Sequence, residues 1–430
     1  MMVGGKHLLR GTSRGLNSRA SFFFFCLALV IYLSSQVIKL SMLVGFYPAD
    51  AVNRVCLALS IVFLFLAEYL EGTFTRADLI AILSFCAISF AALVSENREL
   101  IVVAAFILVA RHFEFGAIAQ IAACTIAVCC TVVIAAAMLG ITLDYTWIQG
   151  GRVRHGLGFR YATYLSHFVL YFTMLVCYVK KGRIDAGVTL AIVLIDVMVF
   201  LMTGSRNSFV LTLVVLAVSG LFRRWLDLRV SYKGGAYVWA ALFPVIAFAS
   251  VALMVLYDPS VNLLASLNSA LGGRLSISHH TYELYGITVF GQHIEWVGNG
   301  VGFDMVPETK TQGTTFVDNS YCNCLLQYGA VTLILFLAAF SLLMFKAALE
   351  GDRLTLFLLS VIAIHSFIDP WWIALRFDVF VLLIGTNLLG KTWAKKAVGK
   401  RNGLTAHALS QPHDLNDSGL ISNQAGAGLT

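Results

Sequence analysis

Long apolar runs alternate along this chain with short polar breaks. Most are 16–25 residues long, close to the roughly 20 residues with which an α-helix crosses a bilayer. They fall at about 21–43, 51–68, 77–95, 99–111, 116–140, 162–179, 185–203, 206–222, 237–257, 321–345, 353–368 and 377–393. The pattern predicts an all-α polytopic integral membrane protein of about twelve transmembrane helices. The fourth run is short, so a count of eleven stays open. Short strands of alternating polarity, as in a transmembrane β-barrel, are not seen. Internal repeats are not evident either, which gives no support to an inverted-repeat transporter.

Composition agrees. Of 430 residues, 59% are hydrophobic and 12% charged, whereas a soluble domain is nearer half apolar and a quarter charged. The net charge of +7 does not point to nucleic acid, because most basic residues flank apolar runs and carry topology information instead. Of nine cysteines, seven lie in apolar runs, and Cys322 and Cys324 open another. None has metal-site spacing, so they read as small packing residues. Lys6, Arg10, Arg14 and Arg19 precede an apolar stretch from Phe22, as in a signal peptide. No small-residue cleavage site follows, so the stretch reads as an uncleaved first helix.

Orientation follows from Lys and Arg, which concentrate on the cytoplasmic side. With twelve spans and the N-terminus inside, twenty of the thirty Lys and Arg residues fall inside and both termini are cytoplasmic. Eleven spans would put the basic stretch Lys391–Arg401 outside. The implied layout is a basic cytoplasmic N-terminus (1–20), then nine helices over 21–257 with an outer loop at 141–161. A large extracytoplasmic loop (258–320), three helices over 321–393 and a cytoplasmic tail (394–430) follow. The large loop carries Phe290, Trp296 and Phe303 among glycines and predicts order. The tail, rich in Gly, Ala, Ser and Asn, predicts disorder.

The ten basic residues left on the outer side need a reason, and eight are arginines. Arginine offers a planar fork that grips phosphate oxygens bidentately. Arg152, Arg154 and Arg160 lie in the first outer loop. Arg206 ends the turn Thr203-Gly204-Ser205-Arg206, Arg274 follows Gly272-Gly273, and Arg376 sits between the last two spans. Together they point to a multi-anionic ligand at the outer face. The plain alternative is pairing with acids such as Asp369 or Asp378, or with lipid head groups. Asp196 and His167 lie within spans, where ionisable groups mark a functional interior or an inter-helix hydrogen bond. Candidate bases are Asp318, His279, His280, His293, Glu283 and Glu295. The His279-His280 pair lacks a third metal ligand.

These residues resemble a known family, the Wzy-type polysaccharide polymerases of the O-antigen polymerase and ligase superfamily. The likeness is greatest to the Gram-positive capsule and exopolysaccharide branch. Four patches carry it over roughly residues 140–390: Arg154-His155-Gly156-Leu157-Gly158-Phe159; Thr203-Gly204-Ser205-Arg206; Gly273-Arg274-Leu275 with Tyr285-Gly286 and Phe290-Gly291; and Asp318-Asn319-Ser320-Tyr321 followed by Gly329. The last is also similar to the ligases' His-Asn motif, with Asn319, Gly329 and Thr332 at matching spacing and Asp318 where the ligases keep His. The polymerases often continue Leu-Gly-Phe with His-Pro-Asn, but here the chain reads Arg160-Tyr161-Ala162-Thr163.

The resemblance implies a GT-C-like architecture and a metal-independent glycosyltransferase without a cofactor, in the cytoplasmic membrane. Its substrates would be donor and acceptor glycans on undecaprenyl pyrophosphate. A flippase and a chain-length regulator of the same pathway would be its partners. Arg154, Arg206, Arg274 and Arg376, with Arg152 and Arg160, would hold pyrophosphate. Asp318 would be the base, with His279 or His280 next, and Ser205, Asn319, Tyr321 and Asp196 would support the site. Asp318 also reads as the N-cap of the tenth span. The competing readings are a ligase moving finished glycan to another acceptor, against which Asp318 in place of His tilts; a lipid-linked-sugar flippase, which needs ionisable residues in many spans; and a sensor or scaffold, for which the sequence offers no separate soluble domain.

Overall fold

The computed structural model describes residues 5–71, 76–149, 151–221, 226, 234–298, 300–301 and 314–390. The tail at 394–430, Phe303, and the side chains of Lys6, Arg10, Arg14 and Arg152 lie outside this set. A helix occupies each of the twelve predicted runs, in the order α1 (Gly5–Lys39), α2 (Ala49–Glu71), α3 (Arg76–Val94), α4 (Arg98–Ala110), α5 (Phe115–Met138), α6 (Thr163–Val179), α7 (Ala186–Thr203), α8 (Arg206–Leu221), α9 (Ala236–Val255), α12 (Ser320–Glu350), α13 (Arg353–His365) and a final irregular turn (Val379–Leu389). Two shorter helices, α10 (Asn262–Ala270) and α11 (Arg274–Tyr285), lie in the large loop.

Six of these helices are long and apolar enough to cross a membrane: Asn17–Lys39, Ala49–Glu71, Phe115–Met138, Ala186–Thr203, Ala236–Val255 and Ser320–Glu350. Five more are apolar but only 10–17 residues long. Large side chains face outward where no other part of the described chain covers them, as with Phe65 at 68% and Phe248 at 78% exposure. Apolar surface of this kind is costly in water and neutral in lipid. The architecture is that of an all-α membrane protein.

The sequence pattern gives no strand in the first outer loop, yet a hairpin forms there. β1 (Thr146–Gln149) pairs antiparallel with β2 (Arg152–His155), Trp147 facing Arg154 and Ile148 facing Val153. Four-residue strands are too short to leave a clear alternation. Asp144 braces the hairpin, its carboxylate taking His155 Nδ1 at 2.6 Å and the Leu157 amide at 2.6 Å. The following stretch docks on the end of α1. The Met42 amide donates to Gly158 O at 2.8 Å, and the Arg160 amide to Leu40 O at 2.9 Å.

Two helices depart from regularity. The run at 377–393 predicts an ordinary helix, but Val379–Leu382 is a 3-10 turn and Ile384–Leu389 a π turn. Gly385 packs against the Ile107 carbonyl so closely that a Cβ would not fit, and a widened turn accommodates that approach. Helix α12 breaks at Gly329, whose φ of 81° and ψ of 173° are non-helical. The break admits backbone from the large loop: the Gln292 amide donates to Gln327 O at 3.0 Å, Ala330 to Thr288 O at 2.9 Å and Val331 to Val289 O at 3.1 Å. The Phe290-Gly291 patch and the Gly329 patch, far apart in sequence, thus interlock.

Between α13 and the final turn the chain from Ser366 to Asp378 folds inward. Trp372 is fully buried and stacks with Phe243 and Phe340, ring centroids 5.8 and 5.3 Å apart. This aromatic anchor fixes Asp369, Trp371 and Arg376 on either side of it.

Candidate functional site

A cavity of about 370 Å³ lies where α1, the 157–164 stretch, α11, the start of α12 and the 369–376 segment meet. Four cations line it, Lys39, Arg160, Arg274 and Arg376, against two carboxylates, Asp318 and Asp369. Its size sits at the lower end of the roughly 300–1,000 Å³ typical of ligand pockets. A smaller cavity of about 190 Å³ adjoins it, sharing Tyr164, Trp296, Trp371 and Arg376.

Each arginine is held by backbone or by an acid. Arg160 Nε donates to Val301 O at 2.7 Å and its Nη1 to Lys39 O at 3.3 Å. Arg274 opens α11. Its Nε donates to Ile368 O at 3.1 Å and its Nη1 to Leu271 O at 3.1 Å, while Nε lies 3.6 Å from Asp318 Oδ2. Arg376 donates through Nη1 to both oxygens of Glu99, at 2.8 and 2.7 Å, and stacks over Trp371 at 5.2 Å. Glu99 also accepts from the Tyr32 hydroxyl at 2.9 Å. The alternative that outer arginines pair with acids holds for Arg376 and Arg274, but with Glu99 and Asp318; Asp378 caps the Phe380 amide at 2.9 Å, and Asp369 faces two histidines.

That ion pair carries a first prediction. Removing one partner of a fully buried pair costs about 3–5 kcal/mol. Here Arg376 and Glu99 keep 19% and 17% of their side-chain surface, so Glu99→Gln is expected to cost about 2–3 kcal/mol. Added pyrophosphate should raise the melting temperature of the variant more than that of the parent, because Arg376 then lacks its resident anion. Equal shifts in both proteins would remove Arg376 from the ligand site.

Asp318 lies two residues before α12, in the cavity wall, 28% exposed at its side chain. Burial pushes its carboxyl up to about 7, with Arg274 pulling the other way. The expectation that Asp318 caps this helix is corrected. Asn319 is the cap, its Oδ1 accepting from the Tyr321 and Cys322 amides at 3.0 Å each. Its Nδ2 donates to Phe367 O at 2.8 Å and to Ser250 Oγ at 3.1 Å. Tyr321 is fully buried and donates to Ala363 O at 3.0 Å. Asn319 and Tyr321 therefore tie α12 to the 363–369 stretch, and Asp318 is left facing the cavity.

His167 also lines the cavity, whereas Arg154, Ser205, Arg206, His279, His280 and Asp196 do not. Arg154 Nε donates to Thr203 O at 2.5 Å and braces the turn at Gly204, so the first and second patches touch. Burial lowers the pKa of this guanidinium. Ser205 is buried in that turn, and Arg206 points outward, exposed. His279 lies against Tyr257, its Nδ1 2.8 Å from Met254 O and its Nε2 3.4 Å from Glu283. His280 is half-buried on the same helix. Neither histidine lines the cavity. Asp196 is buried in α7, its Oδ2 without a hydrogen-bond partner among the described residues. Of the six proposed anion-binding arginines, the fold thus gathers Arg160, Arg274 and Arg376 at one cavity with Asp318.

Sequence reasoning missed Tyr161, which lines the cavity and whose phenol is raised by burial and then by Asp318. It also missed Lys39, Glu99 and Trp371. The departure from His-Pro-Asn at Arg160-Tyr161 was a usable signal, since both residues reach the cavity. Comparison with protein-family models, curated proteins and solved structures finds no match to this chain.

Proposed function

We propose that this protein is a polysaccharide polymerase, a glycosyltransferase that joins undecaprenyl-pyrophosphate-linked oligosaccharide units at the outer face of the cytoplasmic membrane. In this reading twelve helices span the bilayer in a GT-C-like arrangement, with both termini inside. The membrane lipid, a flippase and a chain-length regulator are its partners. The observation that carries the reading is the convergence of Arg160, Arg274, Arg376 and Lys39 with Asp318 on one cavity. A pyrophosphate leaving group needs fixed cations, and an attacking hydroxyl needs a base.

Sidedness supports it. Every cation in the cavity belongs to the set that the charge count places outside. At the opposite end of α4, Arg111 pairs with Glu68 at 2.6 Å and Asp78 at 3.1 Å, and Arg111 belongs to the inside set.

In the proposed reaction the acceptor hydroxyl oxygen bonds to the anomeric carbon of the growing chain as that carbon's bond to the pyrophosphate oxygen breaks. The hydroxyl proton passes to Asp318. The electron pair leaves with the lipid pyrophosphate, whose charge the arginines hold. Only pyrophosphate and the adjoining sugar need fit within 370 Å³; the remaining glycan extends outward and the lipid tail sideways into the bilayer.

The spacing of Asn319, Gly329 and Thr332 also suits a ligase, so the test must separate the two. Deletion of the protein followed by analysis of lipid-linked glycans does so. Single units accumulating on lipid outside the cell are expected. Long lipid-linked chains would assign a ligase, and units trapped inside would assign a flippase; either overturns the proposal.

A further inference from the structure

Under the cavity wall, three side chains from separate parts of the sequence converge. His167 comes from α6, His365 from the last turn of α13, and Asp369 from four residues beyond. One ligand atom from each residue lies within 4.8 Å of those of the other two. His365 Nε2 is 3.3 Å from Asp369 Oδ2, and His167 Nε2 is 3.6 Å from Asp369 Oδ1. All three residues are buried, the histidines to 1% exposure. Neither Nε2 has a hydrogen-bond partner among the described residues.

The opposite ring nitrogens are held. His167 Nδ1 lies 2.9 Å from Ser208 Oγ, and His365 Nδ1 lies 3.4 Å from the Tyr171 hydroxyl. Asn207 Nδ2 donates to Asp369 Oδ2 at 2.6 Å. Metal-binding histidines are arranged in this way: an outer partner takes the Nδ1 proton, which leaves the Nε2 lone pair for the ion, and the ligating carboxylate is itself hydrogen-bonded. A simple pair of Nε2–H donors to a carboxylate would close to about 2.7–2.9 Å, shorter than either distance here.

We propose that His167, His365 and Asp369 bind one divalent transition-metal ion. Two imidazoles and one carboxylate select zinc or a neighbouring first-row ion over magnesium or calcium, which take oxygen ligands. Three protein ligands leave a coordination position open. His167 and Asp369 both line the cavity, so that position faces it, and a water or an anionic oxygen fills it. This departs from the metal-independent chemistry that the family resemblance implies, and it rests on the cluster alone rather than on the glycan reading.

The test uses the full chain in detergent, purified without a polyhistidine tag. Metal content is measured directly, and the chelator-stripped protein is titrated with zinc and with cobalt. About one ion per chain, and a visible d–d band from cobalt that zinc removes, are expected. His365→Gln and His167→Gln, if monodisperse, should fall to background. Stripped parent protein that takes up neither ion would overturn the proposal, and so would uptake that survives both substitutions. Where a variant fails to fold, the cobalt spectrum of the parent decides. Metal binding without glycan polymerisation would leave this site standing while removing the polymerase.

Discussion

Asp318→Asn is expected to lower the proposed glycan polymerisation by about two to four orders of magnitude, the usual contribution of a positioned general base. Asparagine keeps the shape of the side chain and accepts no proton. The prediction is sharp because the cap is Asn319, not Asp318, so the substitution leaves the helix start intact. A carboxyl held near 7 is matched to proton transfer at neutral pH. The sign follows: below about 7 the group is protonated and cannot take the hydroxyl proton, so kcat/KM falls as pH falls through that value. Arg274→Ala removes the cation that draws the pKa down, so this limb should move to higher pH. Binding of the lipid-linked donor should be retained in Asp318→Asn, because the change lies in the chemical step. Normal turnover by that variant would place the base elsewhere.

Gly329→Ala is expected to be strongly destabilising. A φ of 81° with ψ of 173° lies in a region that is essentially glycine's alone, with a strain of about 1–3 kcal/mol for other residues. The added Cβ would also run into the backbone of Val289 and Gly291, and overpacking of this kind adds about 1–3 kcal/mol. Together these reach about 2–6 kcal/mol against a total stability of roughly 5–15 kcal/mol. Loss of monodisperse protein on size-exclusion chromatography, or a large drop in melting temperature, is the readout. Ala330→Ser, one residue along, is the control. A Gly329→Ala protein that melts with the parent would mean the break in α12 does not need glycine.

Hydrophobic runs located the six helices long and apolar enough to cross a membrane, because burial in lipid writes itself into composition over some twenty residues. They did not show that Val379–Leu389 is irregular, since that depends on Gly385 meeting Ile107 from another helix. The arginines were visible as exceptions to a charge rule, but their grouping was not. Arg154 and Arg206 looked equivalent to Arg274 in sequence. In space Arg154 braces a turn and Arg206 faces outward. Asp318 and Asn319 are neighbours with interchangeable capping chemistry, and only backbone geometry assigns the cap to one and the cavity to the other. The cluster of His167, His365 and Asp369 spans some two hundred residues. No spacing rule finds it.

The interlock at Gly329 bears on how the cavity is entered. Loop residues 288–292 donate to and accept from the broken helix through its own main chain. Peeling them away would unpair those amides and carbonyls, and each one left buried without a partner costs about 1–3 kcal/mol. Residues 288–292 are therefore riveted to the helix and cannot swing like a hatch. In the proposed polymerase, substrate would come in through the gap that the remaining walls leave, and a long product would slide out past this fixed point.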